Sequence, residues 1–362
     1  MLKSSGLIIL AYALFILQLA RLIWLKDYDQ SLLIDFQELA LLTKFTFLFF
    51  LGQETYSLVW LSRKDKYFSV QTVIRLIIIG VIIQSIFMAL IGFKYSINYS
   101  KYIIYLLATL IWTITRNALR LRNLHIQIYL VDIFLALIIW ISIFITNRID
   151  VSLNIAGILL LIIGLYYLIK NLNKEKNQLD LITSNGVFLI VASSFTNIIQ
   201  QGLLLVTKSE YSIEEWSDLS FELSLVNGVW MAVGVIIWKI QTQLWSRSRE
   251  GIYKAQRIFV ISSLIFTLIS FGAIYLLGRF TPYTFEGRVY ILLLIFLPIN
   301  SITPIQSYLV SRERYWRIIL AIIVSVLIIL VFVKLLSDIV IAFFIGSLLY
   351  SLILAWGFYE KE

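Results

Sequence analysis

The sequence contains no cysteine and a single histidine, His125. Without cysteine the chain can form neither a disulfide nor a thiolate metal site, and it has no thiol nucleophile. HExxH, GxSxG and P-loop patterns are also absent, which removes the commonest hydrolase and NTPase signatures. We therefore expect a protein that is not an enzyme and that carries no metal or other cofactor.

Charge and proline are scarce as well, at 14% charged residues and 3 prolines in 362 residues. Hydrophobic residues make up 60% of the chain, against roughly 45–50% in soluble domains. Runs of Leu, Ile and Phe approach the roughly twenty residues that a membrane-crossing helix needs. The first run, residues 6–25, is followed by Trp24 and Lys26 rather than a small-residue cleavage site, so we expect a retained helix.

The apolar runs predict an all-α polytopic membrane protein, because lipid leaves backbone polar groups no partner outside a helix. Windows of about twenty residues give about twelve transmembrane helices. They cover residues 6–25, 36–59, 72–92, 101–117, 125–146, 151–169, 182–206, 221–243, 257–278, 288–308, 317–336 and 339–358.

The distribution of Lys and Arg predicts how the chain is oriented. Most of the 30 basic residues fall in alternate loops, and short basic loops stay in the cytoplasm. With this pattern both termini are predicted to be cytoplasmic. The net charge of +9 is explained by orientation and by attraction to membrane lipids, so nucleic-acid binding is not supported.

The two halves of the sequence match in order, which indicates an internal repeat. Lys26-Asp27-Tyr28 aligns with residues 208–211, Arg75 with Arg257, and Arg122 with Arg312. Six spans per half predict two six-helix pseudo-symmetric lobes, residues 1–178 and 179–362. Parallel repeats of this kind enclose a central site in transporters that work by alternating access.

The chain resembles the polysaccharide (O-antigen type) flippases of the multidrug/oligosaccharidyl-lipid/polysaccharide exporter superfamily. Nearly the whole chain takes part in the resemblance, which three segments suggest. They are Lys26-Asp27-Tyr28 with the span that ends in residues 57–66, the stretch from Trp245 to Gly278, and Gln306-Ser307-Tyr308 running into Arg312.

The resemblance implies a flippase that moves undecaprenyl-diphosphate-linked oligosaccharide across the bacterial inner membrane for surface polysaccharide biosynthesis. It implies V-shaped lobes, a cavity lined by the first, second, seventh and eighth helices, and a proton or sodium ion as coupling ion. Polysaccharide assembly proteins are further expected partners. The sequence does not name the glycan.

Ionisable residues inside the predicted spans are the first candidates for the cavity, because charge at the bilayer centre is costly and usually functional. Lys44 and Asp132 are the deepest: Lys44 would attract the diphosphate, and Asp132 would bind a proton or cation. An interhelical structural partner is the alternative for both. Arg21, Arg75 and Lys239 lie nearer helix ends, where ordinary snorkelling competes with a cavity role.

Polar side chains supply the remaining candidates. Asn197 and Gln200 share one face of the seventh span, and Gln18 aligns with Gln200 in the repeat. Glu54 is a second candidate for coupling. Such residues also hold transmembrane helices together, so this alternative stays open. Pro298 and Pro304 predict a kinked tenth span.

Two other functions remain open. A membrane oligosaccharide polymerase or glycosyltransferase would act on the same lipid carrier but should have a large outward loop, whereas residues 207–220 form a short one. A small-molecule exporter of the same superfamily would share the architecture.

Overall fold

The computed structural model describes residues 2–29, 31–37, 68–95, 99–122, 124–173, 199, 202–204, 206–208, 210–245, 248–280, 285, 287–312, 314–336 and 338–359. The chain divides into two compact units, Met1–Ser194 and Phe195–Glu362. The expected boundary at residue 178 lies in a segment outside the described residues. Six helices in each lobe therefore stay a prediction.

Five long helices make up the described part of the first unit. They are α1 (Leu2–Tyr28), α2 (Val70–Tyr95), α3 (Ile103–Leu121), α4 (His125–Thr146) and α5 (Ile149–Asn171). A 3₁₀ turn at Tyr99–Tyr102 precedes α3. Two-residue strands, β1 (Phe68–Ser69) and β2 (Leu172–Asn173), pair in parallel beside α2 and α5.

In the described part of the second unit, short helical stretches at residues 202–204 and 206–208 precede six further helices. They are α6 (Ile213–Trp245), α7 (Arg249–Phe280), α8 (Gly287–Ser301), α9 (Thr303–Ser311), α10 (Tyr315–Leu335) and α11 (Ile339–Tyr359). The interruption between α8 and α9 falls at Ile302, between Pro298 and Pro304. Each proline removes a backbone donor, which accounts for an interruption at this point, and the predicted kink stays a prediction.

Eight helical segments in the described residues are long and apolar enough to cross a membrane. They are Ile9–Tyr28, Ser100–Arg120, His125–Thr146, Ile149–Asn171, Arg249–Phe280, Gly287–Ser311, Tyr315–Leu335 and Ile339–Phe358. Each overlaps a predicted span. Predicted spans 72–92 and 221–243 fall within α2 and α6, whereas most of 36–59 and most of 182–206 lie outside the described residues. The chain is an all-α membrane protein, and the total of twelve spans stays a prediction.

Close packing in the first unit centres on α3 and α5. Gly157 of α5 approaches so closely that an added Cβ would lie 2.8 Å from the Tyr105 Cα. Two helical turns further along α5, the Gly164 carbonyl accepts a hydrogen bond of 3.1 Å from the Thr115 hydroxyl of α3. Small residues let helix backbones approach in a membrane, where lipid gives no hydrophobic drive for association.

The second unit has a similar pattern of contacts around its last helix, α11. This helix packs against both α8 and α10, much as α5 packs against α3 and α4. Gly346 lies directly against the Ile329 side chain and the Ser325 carbonyl of α10. Glycine again permits the closest approach between the helices.

The helix boundaries repeat between the units. Leu121, His125 and Ile149 end or begin helices in the first unit, and Ser311, Tyr315 and Ile339 do so in the second, each 190 residues later. The residue before the fourth helix has almost the same conformation as its counterpart: φ −89° and ψ 44° at Leu124, φ −88° and ψ 45° at Arg314.

The hydrogen bonds of these two connections correspond as well. The Leu124 amide donates to the Leu119 carbonyl, and the Arg314 amide donates to the Leu309 carbonyl, both at 2.9 Å. A leucine and an arginine have the same backbone conformation at this position. The conformation is therefore set by the connection between the helices and not by the residue type. The matching geometry supports an internal repeat over these three helices.

Candidate functional site

A carboxylate is paired inside the first unit. Asp132 lies on α4, two turns from its start, which is roughly 10 Å along the helix axis. Its Oδ2 lies 3.3 Å from Arg116 Nη2 on α3, and its Oδ1 accepts a hydrogen bond of 2.8 Å from the Trp112 indole. The side chains of Arg116 and Asp132 are 29% and 14% exposed. The pair is therefore largely withdrawn from the surface.

Further polar groups surround this pair. Tyr129 is buried one turn before Asp132 and lies within electrostatic range of Arg116, Arg120 and Asp132. Arg120 donates a hydrogen bond to the buried Asn117 amide oxygen at 3.2 Å. The Arg116 Nε is buried and has no acceptor among the described residues. The result is a cationic cluster that contains one acid.

Arg21 provides a second buried cation in this unit. It lies on α1, is 6% exposed, and its guanidinium stacks 4.3 Å from the centre of the Phe36 ring. Its Nε has no hydrogen-bond acceptor within the described part of the chain. A snorkelling arginine would reach outward, whereas this one is enclosed. Gln18 lies three residues earlier, on the same side of the helix.

The remaining predicted site residues are Arg75, Lys239, Lys44, Glu54, Asn197 and Gln200. Arg75 is exposed on α2. Lys239 lies in α6, but its side chain is outside the described set. Lys44, Glu54, Asn197 and Gln200 also fall outside the described residues, so their cavity roles stay predictions.

The sequence reasoning missed Arg116 and Trp112. The fourth span was predicted to end at residue 117, which left Arg116 at its very end and Arg120 beyond it, but α3 continues to Leu121. Both arginines therefore belong to the helix. Their spacing was an available signal, since Trp112, Arg116 and Arg120 are four residues apart and share one face.

An ion pair also lies within the second unit. Arg288 at the start of α8 is 2.8 Å from the Glu222 carboxylate of α6, and Glu222 is only 5% exposed. Both residues lie at the start of predicted spans, 221–243 and 288–308. Because the pair is buried, breaking it should cost more stability than breaking an exposed ion pair.

The interruption between α8 and α9 has a side-chain partner. Gln256 of α7 is buried, and its Nε2 donates a hydrogen bond of 2.5 Å to the Ser301 carbonyl. Asn300 donates back to the Phe296 carbonyl at 2.9 Å. Side-chain amides thus bind two backbone carbonyls near the two prolines.

No three His, Asp or Glu side chains converge on a metal-sized position within the described residues. Comparisons with protein-family models, with curated proteins and with solved structures find no match for this chain. The site is therefore defined by its own geometry: a paired acid and several cations buried among membrane-crossing helices.

Proposed function

We propose that the chain is a flippase that moves undecaprenyl-diphosphate-linked oligosaccharide across the bacterial inner membrane by alternating access. Both termini would be cytoplasmic, and the two repeats would form the two lobes around the path. The sequence resemblance to polysaccharide flippases supplies the substrate class. The membrane-crossing helices and their repeated boundaries support the architecture.

One observation carries the proposal: within the described membrane-crossing helices of the first unit, Arg21 is buried and Arg116 is paired with a mostly buried acid, Asp132. Arg21, Arg116 and Asp132 lie inside helices whose outer faces carry large apolar side chains. Ionisable groups in such positions usually belong to a transport path. A diphosphate is an anion with several acceptor oxygens, which the arginine fork binds well.

The Arg116–Asp132 pair suggests how substrate and coupling ion are linked. A diphosphate that binds Arg116 competes with Asp132 for the guanidinium. Displacement leaves the carboxylate unpaired, and an unpaired carboxylate in a poorly hydrated place favours a proton or a sodium ion. Substrate and ion would thereby bind together, and no covalent step is required.

Deletion of the gene tests the proposal. The expected result is lipid-linked oligosaccharide trapped at the cytoplasmic leaflet, with export restored by the wild-type gene. Normal export would contradict the proposal, and so would exported but unpolymerised units, which a polymerase defect produces. A small-molecule exporter would leave the glycan unchanged and alter drug sensitivity instead.

Site variants connect the phenotype to the geometry. Arg116→Gln, expressed at wild-type level, is expected to lower complementation at least tenfold. Arg148→Gln removes a charge from an exposed ion pair with Asp150 and is the matched control, expected to complement fully. Full complementation by Arg116→Gln would show that export does not need the Arg116 charge, which would contradict a role for the cation cluster.

A further inference from the structure

A shallow groove of about 310 Å³ lies between α10 and α11 on the surface of the second unit. It is found where α10 begins and α11 ends, at the membrane face that the basic loops predict as cytoplasmic. Trp316 and Trp356 stand at its rim and are 64% and 73% exposed. Exposed tryptophans at one level mark the interface between lipid and water.

The lining of the groove becomes purely aliphatic further into the bilayer. Leu320 follows Trp316 by four residues, and Leu352 precedes Trp356 by four, so both lie about 6 Å further into the bilayer. Ile353 completes this apolar part. A polar end at the interface followed by an apolar stem matches the shape of a phospholipid, with a headgroup and an acyl chain.

Arg317 supplies a cation at the headgroup end. Its Nη1 donates a hydrogen bond to the Gly357 carbonyl, which holds the guanidinium in the groove wall. A guanidinium has five N–H donors, so several remain for a phosphate. Arg312 and Arg314 lie in the connection just before α10, and clustered arginines at a membrane face attract anionic lipid.

The first unit carries different chemistry on the corresponding pair of helices, α4 and α5. A neutral glutamine stands where the second unit has Arg317, and a tyrosine stands where Gly357 leaves space. If the fold alone required an arginine and a glycine at these positions, the first unit would have them too. The corresponding residues, 190 positions earlier, are Ile126, Gln127, Tyr166 and Tyr167.

We propose that this groove binds one anionic phospholipid of the adjacent leaflet. The phosphate lies on Arg317 between the two tryptophans, and an acyl chain follows Leu320 and Leu352. The groove is lined by none of the residues that the proposed transport path uses. It would anchor α10 and α11 at one face of the bilayer.

Native mass spectrometry of the full chain in mild detergent tests the proposal. With phosphatidylglycerol we expect one retained lipid per chain at low lipid concentration, and with zwitterionic phosphatidylcholine we expect none. Arg317→Gln should weaken retention of phosphatidylglycerol roughly tenfold, the effect of losing one charge-assisted contact. Arg148→Gln removes the same charge far along the chain and should retain the lipid normally.

Gly357→Leu is a second variant, which fills the groove beside the Arg317 side chain and keeps the positive charge. It should also lose the retained lipid, and circular dichroism should give the same helix content as the wild type. Equal retention by wild type and Arg317→Gln, or equal retention of both lipids, would overturn the proposal. Dimerisation through this face without bound lipid would overturn it as well.

Discussion

The carboxylate of Asp132 and the guanidinium of Arg116 face each other across two neighbouring helices, with 3.3 Å between Oδ2 and Nη2. Each group limits the cost of burying the other. The indole of Trp112 donates to the second carboxylate oxygen at 2.8 Å, so both oxygens of the acid are bound.

Removal of both members of this pair should destabilise the protein by less than the sum of the two single removals. Asp132→Asn and Arg116→Gln are each expected to cost about 1–3 kcal/mol, because the remaining charge is left without its counterion. The double variant should cost less than the sum by about 1 kcal/mol or more. Unfolding followed by circular dichroism in detergent measures this coupling, and purely additive losses would contradict it.

Gly157 should tolerate no side chain. An added Cβ meets the backbone of Tyr105 at 2.8 and 2.9 Å, so α5 would have to move away from α3. Gly157→Ala is expected to lower the free energy of unfolding by about 1–3 kcal/mol.

Gly272 is the matched control, since it lies in α7 with nothing within 4 Å of the added atom. Gly272→Ala should raise helix stability by about 0.5–1 kcal/mol, because alanine is the better helix former. Thermal unfolding of the two variants side by side makes the comparison. Equal shifts in one direction would show that packing does not distinguish these positions.

Gln256 should stabilise the interrupted helix. Gln256→Leu removes the donor to the Ser301 carbonyl, and an orphaned buried carbonyl costs about 1–3 kcal/mol. We expect faster hydrogen exchange at the backbone amides of Ile302, Thr303, Ile305 and Gln306.

Ser224→Ala is the control for this variant, because the Ser224 hydroxyl bonds the Ser220 carbonyl of its own helix and no other described residue. It should change stability little. Unchanged exchange in Gln256→Leu would mean that the two prolines alone determine the interruption.

A capping box at the start of α6 should make stability depend on pH. The Ser212 amide and hydroxyl donate to the Glu215 carboxylate at 3.0 and 2.9 Å, and these bonds hold the pKa of Glu215 below its ordinary value. A lowered pKa in the folded state adds stability above the ordinary pKa, and this stability is lost as the pH falls through the folded value.

Ser212→Ala should therefore lower the unfolding temperature slightly at pH 7, and the difference should shrink at pH 3. Glu215→Gln should remove most of the pH dependence that this capping box contributes. A constant difference between Ser212→Ala and wild type from pH 7 to pH 3 would contradict the assignment. Thermal scans at both pH values decide the matter.

The sequence predicted the helices well where apolar runs are long. The eight membrane-crossing segments were all anticipated, because lipid requires both helical backbone and apolar side chains in the same residues. Helix ends were less predictable. The helix α7 begins at Arg249, before the predicted start at residue 257. Its first turns are polar, and a hydropathy window does not distinguish a polar helical turn from a polar loop.

The partners of the candidate site were harder to predict. Asp132 was identified by its depth, but its pairing with Arg116 depends on how α3 and α4 pack, which hydropathy does not encode. Arg21 was expected near the rim, yet it is enclosed against Phe36. Depth along a helix follows from residue number, whereas the direction in which a side chain points follows from the neighbouring helices.

The equivalent turns before α4 and α10 have the same backbone conformation but differ in charge at one position. Because leucine and arginine adopt one backbone geometry there, the charge of such a connection can change without altering the path of the helices. Charge near short connections governs which way a helix pair inserts. Insertion direction and three-dimensional shape can therefore evolve independently in this protein, and a few substitutions in one turn could invert a hairpin whose fold stays intact.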